Sequence, residues 1–348
     1  MSSVAGLTRK SFFHNMFFMY LTVARQLVVM AIIVVLSFFF SRKNNFGQSA
    51  SQYLSRLLLY VINPCMILST FDVEFSGQKL RSLGLAIAVS FAFHLVMIAL
   101  AAILFARKKS LQGQEGRDSL SKIGIVFTNS GFIGIPLING VFGGEGVFYL
   151  MGYILVFNVL LWIWGEWLMT GTMRPLKILT NPNVLACAAG LAVFCLPFKI
   201  PYVIIEPLKM IGACNGAVSM ILLGLLFSAF GANRSQEQNR SQGQEGAAPA
   251  KAFAKPLARD VFLRLIVCPL ILLGATLFAM RAFSSVSEIK LIMSVLFIAA
   301  CCPVGMSVSS FAVVFKKDAD YASLLVALSS AACVVTIPLL VALLEALA

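Results

Sequence analysis

Apolar runs of roughly twenty residues, the length a helix needs to cross a hydrocarbon core, recur ten times in this chain. They lie near 20–40, 52–71, 82–106, 120–142, 147–170, 183–198, 208–231, 261–281, 288–314 and 321–346. One soluble core cannot absorb so many. Of the 348 residues 59% are hydrophobic and 12% charged, whereas soluble domains carry about 25% charged residues. In hydrocarbon every backbone amide and carbonyl must be satisfied internally, so the runs are expected to be helices. The expected fold is an all-α polytopic membrane protein whose surroundings are a lipid bilayer.

The net charge of +13 raises the question of nucleic acid, but the basic residues sit in the short connections between apolar runs. That is the pattern of membrane topology, and no nucleic-acid partner is expected. With the N-terminus outside, eighteen Lys and Arg fall on the cytoplasmic side, Arg42, Arg107, Arg259, Arg264 and Lys316 among them, against eight on the other. Arg25 is left at the edge of the first run. The bias predicts a multi-pass protein of the cell membrane with both termini extracytoplasmic. All eight cysteines lie within or at the ends of apolar runs without CxxC spacing, and His14 and His94 are far apart. No metal site, cofactor or enzymatic constellation is expected.

Within the fourth run, Asn129-Ser130-Gly131-Phe132-Ile133-Gly134-Ile135-Pro136 places polar, flexible and helix-breaking residues in apolar surroundings. A freed backbone group at membrane depth costs several kcal/mol, so broken helices line a cavity or pack in protein. A second interruption follows at Cys302-Pro303-Val304-Gly305-Met306-Ser307. Pro136 and Pro303 stand 167 positions apart, close to half of the chain, which suggests two halves built alike. Five runs per half oblige the halves to enter the membrane from opposite sides. The expectation is therefore ten transmembrane helices as two inverted five-helix repeats, 1–172 and 173–348, with broken, crossing fourth and ninth helices. Asn63-Pro64 and Asn215-Gly216 offer a second pair of polar breaks. The polar tract 231–255 is expected to be a cytoplasmic linker that does not fold alone.

Asn129 and Ser130 supply an amide and a hydroxyl, Gly131 and Gly134 permit close backbone approach, and Pro136 removes a backbone donor. In the second break Pro303 and Gly305 are the breaking residues and Ser307 the leading polar one. The exposed half-helix ends would attract an anion at an N-terminus and a cation at a C-terminus. Among acids, Glu166 between Trp164 and Trp167 reads as interfacial or structural, and Asp260 and Glu206 as headgroup-level.

The run from Asn129 to Leu137 resembles the Asn-Thr-Gly-Phe-Leu-Gly-Leu-Pro-Leu signature of the auxin efflux carrier family. Asn63-Pro64-Cys65-Met66 is similar to that family's second-span proline segment, and Pro303 through Lys316-Lys317-Asp318 to its ninth-span crossover and charged turn. The resemblance covers essentially the whole chain. It implies two inverted five-helix repeats with substrate beside the crossing proline breaks. It also implies a scaffold of the first, second, sixth and seventh helices supporting a mobile bundle of the rest. Family members carry organic anions, auxin in plants and small carboxylates such as malate or malonate in some bacteria. Carried over by position, Asn129, Pro136 and Pro303 are the principal site residues, with Asn158 matching a polar fifth-helix position. Ser130 stands where Thr is common, and no long hydrophilic loop separates the fifth and sixth spans, so plant auxin export is not expected.

The expected function is a secondary transporter moving a small organic anion, a carboxylate, across the plasma membrane by alternating access. Its substrate residues would be Asn129, Ser130, Gly131, Gly134, Pro136, Asn158, Pro303, Gly305 and Ser307. A sodium- or proton-coupled carrier of the bile-acid or cation-antiporter type, or a membrane ligand sensor, are the alternatives. Homo-oligomerisation is compatible with the sequence.

Overall fold

The computed structural model describes residues 2–44, 48–105, 115–172, 180–196, 200–240, 251–286 and 288–348. Twelve helical segments order them: α1 (Ser2–Asn44), α2 (48–70), α3 (Gly77–Leu104), α4 (Glu115–Val126), α5 (Ser130–Thr170), α6 (Pro182–Cys195), α7 (Tyr202–Ala213), α8 (Asn215–Arg240), α9 (251–282), α10 (Ile289–Cys301), α11 (Ser307–Val314) and α12 (Ala319–Leu347). Seven helical stretches among the described residues are long and apolar enough to cross a membrane, and α6 and α10 are shorter apolar helices. Gly143, at φ 66° and ψ −160°, kinks α5. That backbone conformation is open to glycine and strained for other residues.

Local chemistry accounts for several boundaries. Ser76 caps α3 by accepting from the Lys79 amide, Asn181 caps α6 by accepting from the amides of Asn183 and Val184, and Asp318 caps α12 by accepting from that of Tyr321. Of the four π-helical turns among the described residues, three, Leu58–Ile62, Ser130–Gly134 and Leu263–Val267, end two residues before a proline, Pro64, Pro136 and Pro269, and the fourth, Leu161–Gly165, does not. A proline lacks the amide hydrogen and its ring clashes with the carbonyl four residues back. A widened turn at that carbonyl lets the helix continue through the proline.

Packing separates lipid-facing from central helices. α1 lies along α8 and α12, and α2 packs on α6 and α7; α3 packs on α5, and α10 on α5 and α9. Val28, Val29, Ile32, Leu36 and Phe39 of α1 are exposed, as suits a surface solvated by lipid. From Ile292 to Cys301 every residue of α10 is buried, so this helix is enclosed on all sides.

One expectation needs correction here, and two others become more specific. Residues 231–240 of the proposed linker continue α8 as helix and 251–255 begin α9, while 241–250 lie outside the described residues. The tract is rich in Gln, Glu and Arg, good helix formers that can extend a helix already nucleated in the membrane. Asp260, expected at headgroup level, is 1% exposed; it accepts from the Tyr321 hydroxyl at 2.5 Å and pairs with Arg259 at 2.7 Å. Glu166, expected to be interfacial or structural, is 1% exposed, which leaves the structural reading; of its two flanks Trp167 is 42% exposed and Trp164 turns inward. Trp164 packs against Phe127 with the rings tilted at 49°, and Gly165 lies beside Phe311 and Phe127.

Asp318 both caps α12 and pairs with Arg117 at 2.6 Å, with both side chains partly exposed. Asp318→Ala is expected to destabilise the protein by about 1 kcal/mol, mostly through the lost cap. Asp318→Asn, which keeps an acceptor for the Tyr321 amide, should lose less. Thermal unfolding in detergent would check this order, and equal losses would assign the effect to the ion pair.

Candidate functional site

α4 ends at Val126 and α5 begins at Ser130; α10 ends at Cys301 and α11 begins at Ser307. The two non-helical gaps cross. Thr128 and Val304 form an antiparallel bridge in which the Asn129 amide donates to Pro303 O at 2.8 Å and the Gly305 amide donates to Phe127 O at 2.9 Å. Val304 N donates to Ser329 Oγ of α12 at 3.2 Å. Each interruption thus supplies partners that the other lost on leaving the helix, as backbone in hydrocarbon requires.

Four half-helices meet at this bridge with their polarities sorted. The carbonyls of Ile125, Ala300 and Cys302, at the C-terminal ends of α4 and α10, accept hydrogen bonds from Arg264. The opposite ends, the first residues of α5 and α11, open on a cavity of about 440 Å³. Amides in the first turn of a helix have no intrahelical partner and carry its positive dipole end.

Of the sequence-predicted residues, Asn129, Ser130, Gly131, Asn158, Gly305 and Ser307 line the cavity. Asn129 Nδ2, Ser130 Oγ and Ser307 Oγ are buried and make no hydrogen bond within the protein, a state in which each such group costs about 1–3 kcal/mol. Asn158 is partly committed: its Nδ2 donates to Ile154 O at 2.8 Å, and its Oδ1 accepts from Asn181 Nδ2 at 3.5 Å. Gly134, Pro136 and Pro303 do not line the cavity. A Cβ on Gly134 would lie 3.3 Å from Ser130 Cβ and 3.4 Å from Cys302 Sγ, so this glycine serves the packing of α5 on the second break. Pro303 contributes its carbonyl to the bridge. Pro136 lies within α5, eight positions past Thr128 and beside Gly216, and the π turn absorbs its effect. The crossing is centred on Thr128 and Val304, with Pro303 taking part through its carbonyl and Pro136 lying outside it.

Other lining residues were not singled out from the sequence. Asn181 and Asn183 come from the start of α6, and Tyr60, Phe157, Trp162 and Phe311 give the cavity an aromatic wall. Asn63 also lines it and accepts from Asn215 Nδ2 at 2.5 Å. This contact joins the second pair of polar breaks noted in the sequence. Among the described residues no Asp, Glu, Lys, Arg or His lines the cavity, and no cluster of three or more potential metal ligands occurs. Arg264, counted from the sequence as a cytoplasmic connection, is 1% exposed.

No match is found among curated proteins. The family model described as membrane transport protein matches residues 22–173 and again 167–341, one match in each half. The chain therefore belongs to this membrane transport protein family, the family of the auxin efflux carriers, and is a multi-pass membrane transporter rather than an enzyme.

Proposed function

We propose that this protein transports a small organic carboxylate by alternating access, binding it where the N-termini of α5 and α11 open on the shared cavity. The observation that carries the reading is the pairing of two half-helix N-termini with unbonded groups of Asn129, Ser130 and Ser307, in a cavity with no charged side chain among the described residues that line it. Each N-terminus is equivalent to about +0.5 charge, so together they balance about one negative charge. That balance, with the aromatic wall, favours a single carboxylate on an apolar body over a dicarboxylate such as malate or malonate.

On this reading α4 joins the first part of α5 as one interrupted span, the Gly143 kink starts the next, α7 and α8 together make one span over Tyr202–Ser228, and α10 with α11 forms a second interrupted span. Counted so, the chain has ten spans in two inverted repeats, 1–172 and 173–348, with both termini outside. α1, α2, α6, α7 and α8 would form the scaffold, consistent with their mutual packing, and the remaining helices the moving bundle. Carrying one anionic charge outward would gain roughly 2.3 kcal/mol per 100 mV of interior-negative potential.

The test is a thermal-shift screen of the purified protein over mono- and dicarboxylates, followed by flux in proteoliposomes. Aromatic or branched monocarboxylates are expected to raise the melting temperature most and to exchange across the bilayer. Stabilisation by cations or sugars alone would overturn the proposal, and ligand binding without counterflow would make the protein a sensor.

A further inference from the structure

Arg264 lies in the π-helical turn Leu263–Val267 of α9, fully enclosed. Its Nε and Nη2 both donate to Cys302 O, at 3.1 and 2.9 Å, Nη2 donates also to Ala300 O, and Nη1 donates to Ile125 O at 2.9 Å. None of the ion pairs among the described residues includes it. An arginine at membrane depth is expensive unless opposite charge meets it. Here that charge is supplied by backbone: the C-terminal ends of α4 and α10 carry about −0.5 each, and one guanidinium cancels the pair. In transporters built on broken helices, unwound carbonyls and half-helix C-termini are where a coupling cation is held.

We propose that Arg264 is a resident cation in the place a coupling ion would occupy, so that the crossover is closed by the protein's own guanidinium and neither folds around nor couples to sodium. The geometry requires arginine in particular. Its planar fork reaches three carbonyls on two separate half-helices at once, whereas lysine offers one compact charge. The π turn widens α9 at this position, where the side chain enters between the two breaks. The inference rests on family membership and on the crossover itself, and is independent of which anion the cavity takes.

Thermal unfolding of the full chain, with no carboxylate added, tests it. At equal ionic strength the unmutated protein is expected to melt at the same temperature in sodium, lithium, potassium and choline chloride. Arg264→Ala should melt lower and recover part of the loss, saturably, on addition of millimolar guanidinium, which leaves the unmutated protein unchanged. Arg264→Lys should retain more stability than Arg264→Met, which has similar length and no charge. A saturable stabilisation of the unmutated protein by sodium over choline would overturn the proposal. So would an Arg264→Met protein as stable as Arg264→Lys. Should Arg264→Ala not fold, the salt series and the Lys–Met comparison decide. Because no carboxylate enters these measurements, failure of the anion assignment leaves their outcome untouched.

Discussion

Gly305→Ala is expected to lower stability by about 3–5 kcal/mol and to abolish transport, a large effect for one methyl group. A Cβ at this position would meet Thr128 O at 2.9 Å, Ser307 Oγ at 3.0 Å and Phe127 O at 3.1 Å. Two of these are backbone carbonyls of the opposing break, and Phe127 O is the acceptor of Gly305's own amide. The strands of the bridge would have to separate, leaving buried backbone groups unbonded at about 1–3 kcal/mol each. Gly131→Ala is the control: it also lines the cavity, yet nothing lies within 4 Å of its added Cβ. Alanine is the better helix former by up to about 1 kcal/mol, so Gly131→Ala should melt at or above the unmutated temperature. Comparison of the two melting curves with proteoliposome flux checks the argument. Equal melting temperatures for Gly305→Ala and the unmutated protein would mean that the crossing does not depend on close backbone approach.

The contrast between these glycines shows where sequence reading reached its limit. Polar and helix-breaking residues stand out against hydrocarbon-compatible surroundings, so both interruptions were legible to within a few residues. Their crossing point was not, because proline was taken as the mark of the break. In the protein Pro136 is accommodated by a π turn inside α5, and the gap lies earlier, at residues 127–129, where Phe127 and Thr128 give no local breaking signal. What breaks the helix there is a long-range partner, the backbone of Pro303 and Gly305. Arg264 was misread for a related reason. A cation near the end of an apolar run is ordinarily a topology signal, and only the convergence of two carbonyl clusters from distant segments gives it another role. Asn63 and Asn215 were conspicuous singly, and their hydrogen bond across 152 positions was not deducible from either. The aromatic wall was the least legible part, since Tyr60, Phe157, Trp162 and Phe311 look in sequence like lipid-facing residues.

Asn129→Asp distinguishes the charge of the transported species, because the substitution changes almost nothing except charge. The side chain is 2% exposed, lines the cavity and precedes the first residue of α5. A carboxylate just before a helix N-terminus is favoured by the dipole and by its free amides, so the fold should tolerate it. It would then occupy electrostatically the position proposed for the substrate's own carboxylate. Two unit charges about 4 Å apart at an effective dielectric constant of about 20 repel by about 4 kcal/mol, which is about a thousandfold in affinity. Asn129→Ala removes only a donor to a charged group, worth about 1.5–3 kcal/mol, so its loss should be smaller. For an anionic substrate, proteoliposome flux should therefore fall in the order unmutated, Asn129→Ala, Asn129→Asp, with both variants melting near the unmutated temperature. A cationic substrate reverses the last two, since the new carboxylate would attract it. A neutral one lets Asp stand in for the lost polar group and places it at or above Ala. Because only an anionic substrate places Asn129→Asp below Asn129→Ala, transport by Asn129→Asp at least equal to that by Asn129→Ala would sink the anion assignment while leaving the crossover and its glycine requirement intact.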